Sequence, residues 1–178
     1  MACDLTTGRA KACADVVGGL KAIYFSTDAL GAITYDITDT DVITTFAGTP
    51  EFFKYDLKGS ANSYTGTITK DINNGTSFFA QSATVQFTKL DKKTHKELKL
   101  LVWASPTVAF EDYNGNTFIM GLENGADVTG GTLVTGAAKG DLNGYTLTLT
   151  AEEAVPANFL ASDLATTTAT VSAVQITP

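Results

Sequence analysis

The chain has 178 residues and a formal net charge of −7, from 12 basic against 19 acidic side chains; that is the length of one domain with a sizeable core, and the acidity argues against a nucleic-acid binder, whose affinity comes largely from lysine and arginine neutralising phosphates. Only 17% of residues are charged, 44% are hydrophobic and 16 are glycine, which with the abundant threonine fits a β protein whose polar surface is largely hydroxyl. No apolar run approaches the roughly 20 residues that span a bilayer, and the opening Met-Ala-Cys-Asp has no basic region followed by an apolar one, so the expectation is a soluble protein without a signal peptide, made in the cytoplasm.

Residues 1–19 read as an irregular arm, punctuated by Thr6-Thr7-Gly8-Arg9 and Val17-Gly18-Gly19. Such an arm is either a frayed terminus or an extension that orders only against a neighbour. It holds the only cysteines, Cys3 and Cys13; reduced thiols are expected, a disulfide is the alternative, and two cysteines without a nearby histidine make no zinc site. A first strand follows at 20–26, then short strands at 32–37 and 41–46 around the acidic turn Thr38-Asp39-Thr40. Residues 51–57 form a stronger strand, with Phe53, Tyr55 and Leu57 on one face and Phe52, Lys54 and Asp56 on the other. A hairpin runs from 64–71 through Asn73-Asn74-Gly75 into a long return strand at 76–89, long enough for its far part to project beyond the body.

One segment is plainly helical, about 91–102, with Asp91 as N-cap and a partial stripe of Leu90, Leu98 and Leu101. Its surroundings, from Lys89 to Lys99, form the one basic patch. Strands resume at 107–111 and 117–122 around Asp112-Tyr-Asn-Gly-Asn116, with a second turn at Glu123-Asn124-Gly125. A weak or bulged strand follows at 128–134 around Gly130-Gly131. Thr150-Ala-Glu-Glu153 has the capping-box pattern, so a helical turn is expected before Pro156, continuing over 157–164. The chain closes with a Thr/Ala/Val strand at 167–176. The fold expected is mainly β: two packed antiparallel sheets, sandwich or barrel, with one flanking α-helix, a long hairpin and an extended N-terminal arm, in a single domain over 1–178 with its β-sandwich at 20–178.

The strongest internal signal is a repeated phrase. Lys139-Gly-Asp-Leu-Asn-Gly-Tyr-Thr-Leu-Thr-Leu-Thr150 matches Lys58-Gly-Ser-Ala-Asn-Ser-Tyr-Thr-Gly-Thr-Ile-Thr69 at Lys, Gly, Asn, Tyr and three alternating threonines. Asn143-Gly144 reads as a turn of residues tolerant of positive φ. The match is either chance in a threonine-rich β protein or a pseudo-symmetric pair of hairpins on two sheets.

No catalytic pattern is of comparable strength. His95, the single histidine, sits among lysines on the helix, and nucleophilic catalysis would have to pass through it. The carboxylate pairs Glu152-Glu153 and Asp39/Asp41 lie at an expected helix start and in an acidic turn, where the helix dipole or solvation explains them. Asp112-x-Asn114-x-Asn116 with Glu123 mimics a calcium loop, but Thr117 stands where glycine is required and the flanks are strands. The glycines at 125–136 make no phosphate-cradling loop. Phe52-Phe53 and Phe78-Phe79 would form a sugar platform if exposed, whereas two-sided strands bury them. No catalytic, cofactor-binding or metal-binding residue is assigned, no cofactor is expected, and the reading is a non-enzyme.

Several phrases resemble bacteriophage virion proteins. Cys3…Gly8-Arg9…Cys13…Asp15…Gly18-Gly19…Tyr24-Phe25 resembles the opening of small structural proteins of tailed phages. Asp112-Tyr-Asn-Gly, Met120-Gly121 and Gly125…Thr129-Gly-Gly-Thr132 resemble the second half of tail tube proteins. So does Gly136…Gly140-Asp-Leu-Asn-Gly-Tyr-Thr-Leu-Thr with Glu152-Glu153 and Pro156-Ala157. The resemblance spans most of the chain in element order. It implies two packed sheets with a flanking helix and a long hairpin, six copies in a ring, and rings stacked into a DNA-conducting tube. On that basis residues 64–84 would contact neighbours and line the bore, and residues 2–19 would form the arm between rings. The implied partners are sister copies, other virion proteins and DNA passing without specific binding, with no membrane. The implied location is the virion, assembled in the host cytoplasm. The alternatives are a head decoration or stabilising protein and a monomeric β-sandwich that binds carbohydrate or a receptor.

Overall fold

The computed structural model of the chain describes residues 8–9, 11, 14–59, 61–164 and 170–173. Within them run β1 (Leu20–Ser26), β2 (Ile33–Tyr35), β3 (Val42–Phe46), β4 (Glu51–Asp56), β5 (Ser63–Asp71), β6 (Thr76–Thr88), α1 (Lys92–Trp103), β7 (Thr107–Asp112), β8 (Thr117–Met120), β9 (Asp127–Val134), β10 (Gly144–Glu153), β11 (Asn158–Leu160) and β12 (Thr170–Ala173). The protein is mainly β, with two sheets and a single helix among the described residues. The larger sheet has the order β12-β4-β1-β7-β8-β11-β3-β2, and the smaller β5-β6-β10-β9. Pairing is antiparallel except at β12–β4 and β11–β3, which run parallel.

Two cores explain this arrangement. The first lies between the sheets: Ile23 and Phe25 of β1, Val108 and Phe110 of β7 and Met120 of β8 face Val85 and Phe87 of β6 and Tyr145, Leu147 and Leu149 of β10. On β6 and β10 these residues alternate with polar or small ones, whereas on β1 and β8 the intervening Tyr24 and Ile119 are buried on the opposite face. The second core takes the opposite face of the same central strands, with Ala22, Tyr24, Ala109 and Ile119 packing on Ile43, Phe46, Phe52 and Leu160. All of these belong to the larger sheet. Phe46 and Phe52 stand 6.4 Å apart between ring centres, although four strands separate β3 from β4 in the sheet. At roughly 4.8 Å per strand a flat sheet would hold them more than 20 Å apart. The larger sheet is therefore rolled over its second core, and the smaller sheet packs on its outside.

The helix begins as its sequence predicts. Asp91 caps it, accepting from Lys93 N at 2.9 Å and Thr94 N at 3.3 Å, and Leu98 enters the first core with Leu90 and Leu101 packed against it. The turn into it is tightened by Asn143, whose backbone oxygen accepts from Lys89 N at 2.6 Å and whose Oδ1 accepts from Leu90 N at 3.1 Å.

Three local expectations are corrected. The capping-box pattern at 150–153 does not start a helix: β10 continues to Glu153. Alternation inside a core outweighs a four-residue cap signal, and the Glu153 carboxylate instead accepts from Glu123 N at 2.8 Å and Asn124 N at 3.3 Å in another turn. Residues 157–164 do not form a helix either. They carry β11, whose Asn158 and Leu160 point inward, with Asn158 Nδ2 donating to Asp41 O at 2.9 Å. Finally, Gly144 does not supply a positive φ; it opens β10, and a Cβ there would collide with the Phe87 carbonyl oxygen. Close approach between β10 and β6 is what requires glycine. The positive φ in this corner belongs to Lys89, at 72°.

Candidate functional site

The two copies of the repeated phrase do not lie on two sheets. They are β5 and β10, flanking the same 13-residue strand β6 in the smaller sheet. Tyr64 stands opposite Ala83 and Tyr145 opposite Phe87. Asn62 Oδ1 accepts from Gln86 N at 2.7 Å, and Asn143 Oδ1 accepts from Leu90 N at 3.1 Å. The same Asn-to-backbone clasp and the same inward tyrosine thus recur on both sides of β6, displaced by four residues along it. Tyr145 is buried and donates its hydroxyl to Asp91 O at 3.2 Å. Tyr64 packs on Phe110 and Phe118, and burial together with the charge of Glu153 raises its pKa to about 12.

The face of this sheet turned away from the core is mostly hydroxyl and amide, with Ala80 and half-buried Phe78 on it toward the hairpin end. Its rows by register are Ser63, Thr84, Thr148 and Gly130; Thr65, Ser82, Thr150 and Asp127; and Gln86, Thr146 and Thr132. No lysine or arginine falls in these rows, and the charges on the face are the carboxylates of Asp71, Asp127 and Glu152. Both edges of the sheet are long. Among the described residues β5, nine residues, pairs only with β6, and β9, eight residues, only with β10. Ile68 on β5 is 74% exposed and Leu133 on β9 is 59% exposed. Beyond the body the β5–β6 hairpin ends in a turn at 72–75, where Asp71 accepts from Asn73 N at 2.8 Å and Asn74 N at 3.1 Å.

The arm is anchored at its inner end. Val17 N donates to Asn114 Oδ1 at 2.9 Å, and Asn114 Nδ2 returns a bond to Val17 O at 2.8 Å. Residues 14–19 have no regular secondary structure, and Cys3 and Cys13 lie outside the described residues.

The residues weighed for chemistry are dispersed. His95 is exposed on α1, its ring 6.4 Å from Tyr145. Glu152 is exposed on the hydroxyl face while its neighbour Glu153 is buried on the other. Asp39 and Asp41 lie in an exposed turn. The Asp112 carboxylate is taken up within its own turn, accepting from Asn114 N at 2.9 Å and Asn116 N at 2.7 Å as well as from both side-chain amides. Partial burial opposes ionisation, but the donors on Asn116 and Asn114 outweigh it and hold its pKa below the ordinary aspartate range. Phe52 is fully buried and Phe53 partly exposed on the opposite face, and Phe78 and Phe79 also split between faces, so neither pair forms a flat shelf. Among the described residues no three His, Cys, Asp or Glu side chains converge as metal ligands, and no helix is long and apolar enough to cross a membrane.

The turn at 36–41 projects Ile37, 98% exposed, among Asp36, Asp39 and Asp41. A cleft of about 410 Å³ beside the C-terminal turn of α1 is lined by Phe25, Phe53, Tyr55, Leu100, Leu101 and Trp103, with Glu97 at its wall. Compared with known proteins, the chain matches no family model, no curated protein and no solved structure.

Proposed function

We propose that the chain is a structural subunit of a tailed-phage virion, most similar to tail tube proteins, which assembles into rings that stack around a DNA-conducting bore. The observation that carries this reading is the smaller sheet with two long strands, β5 and β9, each paired on one side only among the described residues. Open edges of this length and exposure are a template for pairing with another chain. Strand sense alternates through β5-β6-β10-β9, so β9 of one copy beside β5 of the next continues an antiparallel sheet. Such a contact is head to tail and closes into a ring when the rotation fits. Each copy adds four strands, so six copies give a circumference of roughly 115 Å at about 4.8 Å per strand, and a bore wide enough for a duplex. The face without lysine or arginine suits that bore, because phosphates find no cations on it.

The test is to charge the edges. Ile68→Lys and Leu133→Lys lie on exposed positions, so each is expected to change folding stability by no more than about 0.5 kcal/mol. Each should leave monomers where the unsubstituted chain forms rings in electron micrographs. Rings formed equally well by the doubly substituted chain would refute edge pairing. A stable monomer of the unsubstituted chain that binds glycans would favour the carbohydrate-binding alternative.

A further inference from the structure

The smaller sheet is open on its core-ward side at the β5 border. Between β5 and the larger sheet lies a cleft of about 420 Å³, walled by Tyr64, Gly66, Ile68, Phe118, Ala157 and Phe159. Tyr64, Gly66 and Ile68 share one face of β5, opposite Ala83, Gln81 and Phe79 of β6. Gly66 is the gap in that row, with no side chain to fill the space between its neighbours. Ile68 and Phe159 are both exposed, so the cleft is apolar and uncovered by other described residues.

The opposite border carries the complement. Leu133 of β9 pairs with the inward Tyr145 and so points to the same core-ward side, where it is exposed. Two residues earlier Gly131 is bare, because a Cβ there would stand 2.7 Å from the Thr146 carbonyl oxygen of β10. Each edge therefore presents a glycine followed, two residues on, by an exposed aliphatic side chain: Gly66 and Ile68, Gly131 and Leu133. Laid antiparallel, the two edges fit at one register, with Leu133 opposite Gly66 and Gly131 opposite Ile68. Within one copy β6 and β10 stand between these edges, which holds them about 14 Å apart at roughly 4.8 Å per strand.

We infer that Leu133 of one copy seats in the cleft over Gly66 of a second copy, while Ile68 of the second covers Gly131 of the first. This rests on the pairing of β9 with β5 proposed above and adds its register. Without an offset Leu133, in the row of Phe87, would fall beyond Ser63, the first residue of β5, which is in the row of Thr84. Seating it on Gly66, in the row of Gln81, steps the sheet from Phe87 to Gln81 for each copy added. Six residues of rise over four strands tilt the strands by about 45°, within the range of closed barrels. The step is even, so both apolar side chains stay on the core-ward face and the hydroxyl face stays continuous.

The experiment mixes isotope-labelled and unlabelled full chains carrying a diazirine residue at position 133, with joined peptides read by mass spectrometry. Expected is a link between copies from position 133 to the segment 64–68. In parallel, Leu133→Ala empties the cleft and Gly66→Leu fills it from within; each should weaken association about tenfold in sedimentation. Gly66→Leu combined with Leu133→Gly should restore it. A Cβ at position 66 meets the Tyr64 hydroxyl at 3.2 Å; should that variant misfold, Leu133→Ala, on an exposed position, and the link decide the matter. Rings whose links from position 133 fall elsewhere overturn the seating and leave edge pairing standing. Open chains linked from 133 to 64–68 support the seating and overturn ring closure. Monomers alone overturn both.

Discussion

Short aspartates carry much of the turn geometry. Asp36, Asp71, Asp91 and Asp141 each accept backbone N–H groups one to four residues away. In Asp36, Asp71 and Asp141 those bonds are the main cause of a lowered pKa; in Asp91 they outweigh an opposing desolvation. Glu111 behaves alike: partial burial opposes ionisation, but hydrogen bonds from Lys21 and from Tyr24, the latter 2.9 Å, hold its pKa down. All these groups have folded pKa values below their unfolded ones. Their stabilisation is therefore complete above the unfolded values and is lost as pH falls through the folded ones. The melting temperature should stay level down to roughly pH 4.5 and fall steeply below about pH 4. Replacing Asp112 by Ala removes four hydrogen bonds and should cost about 1–2 kcal/mol by urea unfolding at pH 7. It should also release the arm at Val17, detectable as faster amide exchange there. An unchanged exchange rate would show that the Asn114 clasp stands without Asp112.

At the level of elements, β10 is held from both sides and depends on one missing side chain. Gly144→Ala would press a methyl group on the Phe87 carbonyl and should destabilise by about 2–4 kcal/mol, measured by denaturant midpoint. A neutral result would mean that β6 and β10 can part at that corner. Most strands were legible because one face alternates: the pattern at 51–57, 76–88 and 144–149 is enough to draw β4, β6 and most of β10. Asp91 and its following lysines gave the helix for the same local reasons. What was not legible is tertiary. Nothing in Thr150-Ala-Glu-Glu153 states that Glu153 will cap the turn at 123–124, and nothing in 157–164 states that a parallel partner, β3, awaits β11. The repeat was visible, but its meaning was not, since one strand flanked by both copies looks the same in sequence as two separate sheets. The candidate edges were half visible: the hairpin announced β5, while β9, weakened by Gly130-Gly131, gave no sign of being the opposite border.

Over the whole molecule, charge is segregated rather than scarce. The helix collects lysines, the turns collect aspartates, and the hydroxyl face has no cation in its rows. On the proposed assembly, wild-type tubes should not retain duplex DNA even at low salt, whereas Thr84→Lys with Thr148→Lys, two neighbours in one row, should bind it with strong salt dependence in a filter assay. Retention by the wild type would remove the bore from that face. The strand order also sets a timetable. β1 lies between β4 and β7, and Leu20 meets Asp112 only after more than half the chain has been made. β6 likewise waits for β10 on one side. Such distant pairings fold slowly, so on the proposed assembly the two sheets of a subunit would be completed only after most of the chain has been made.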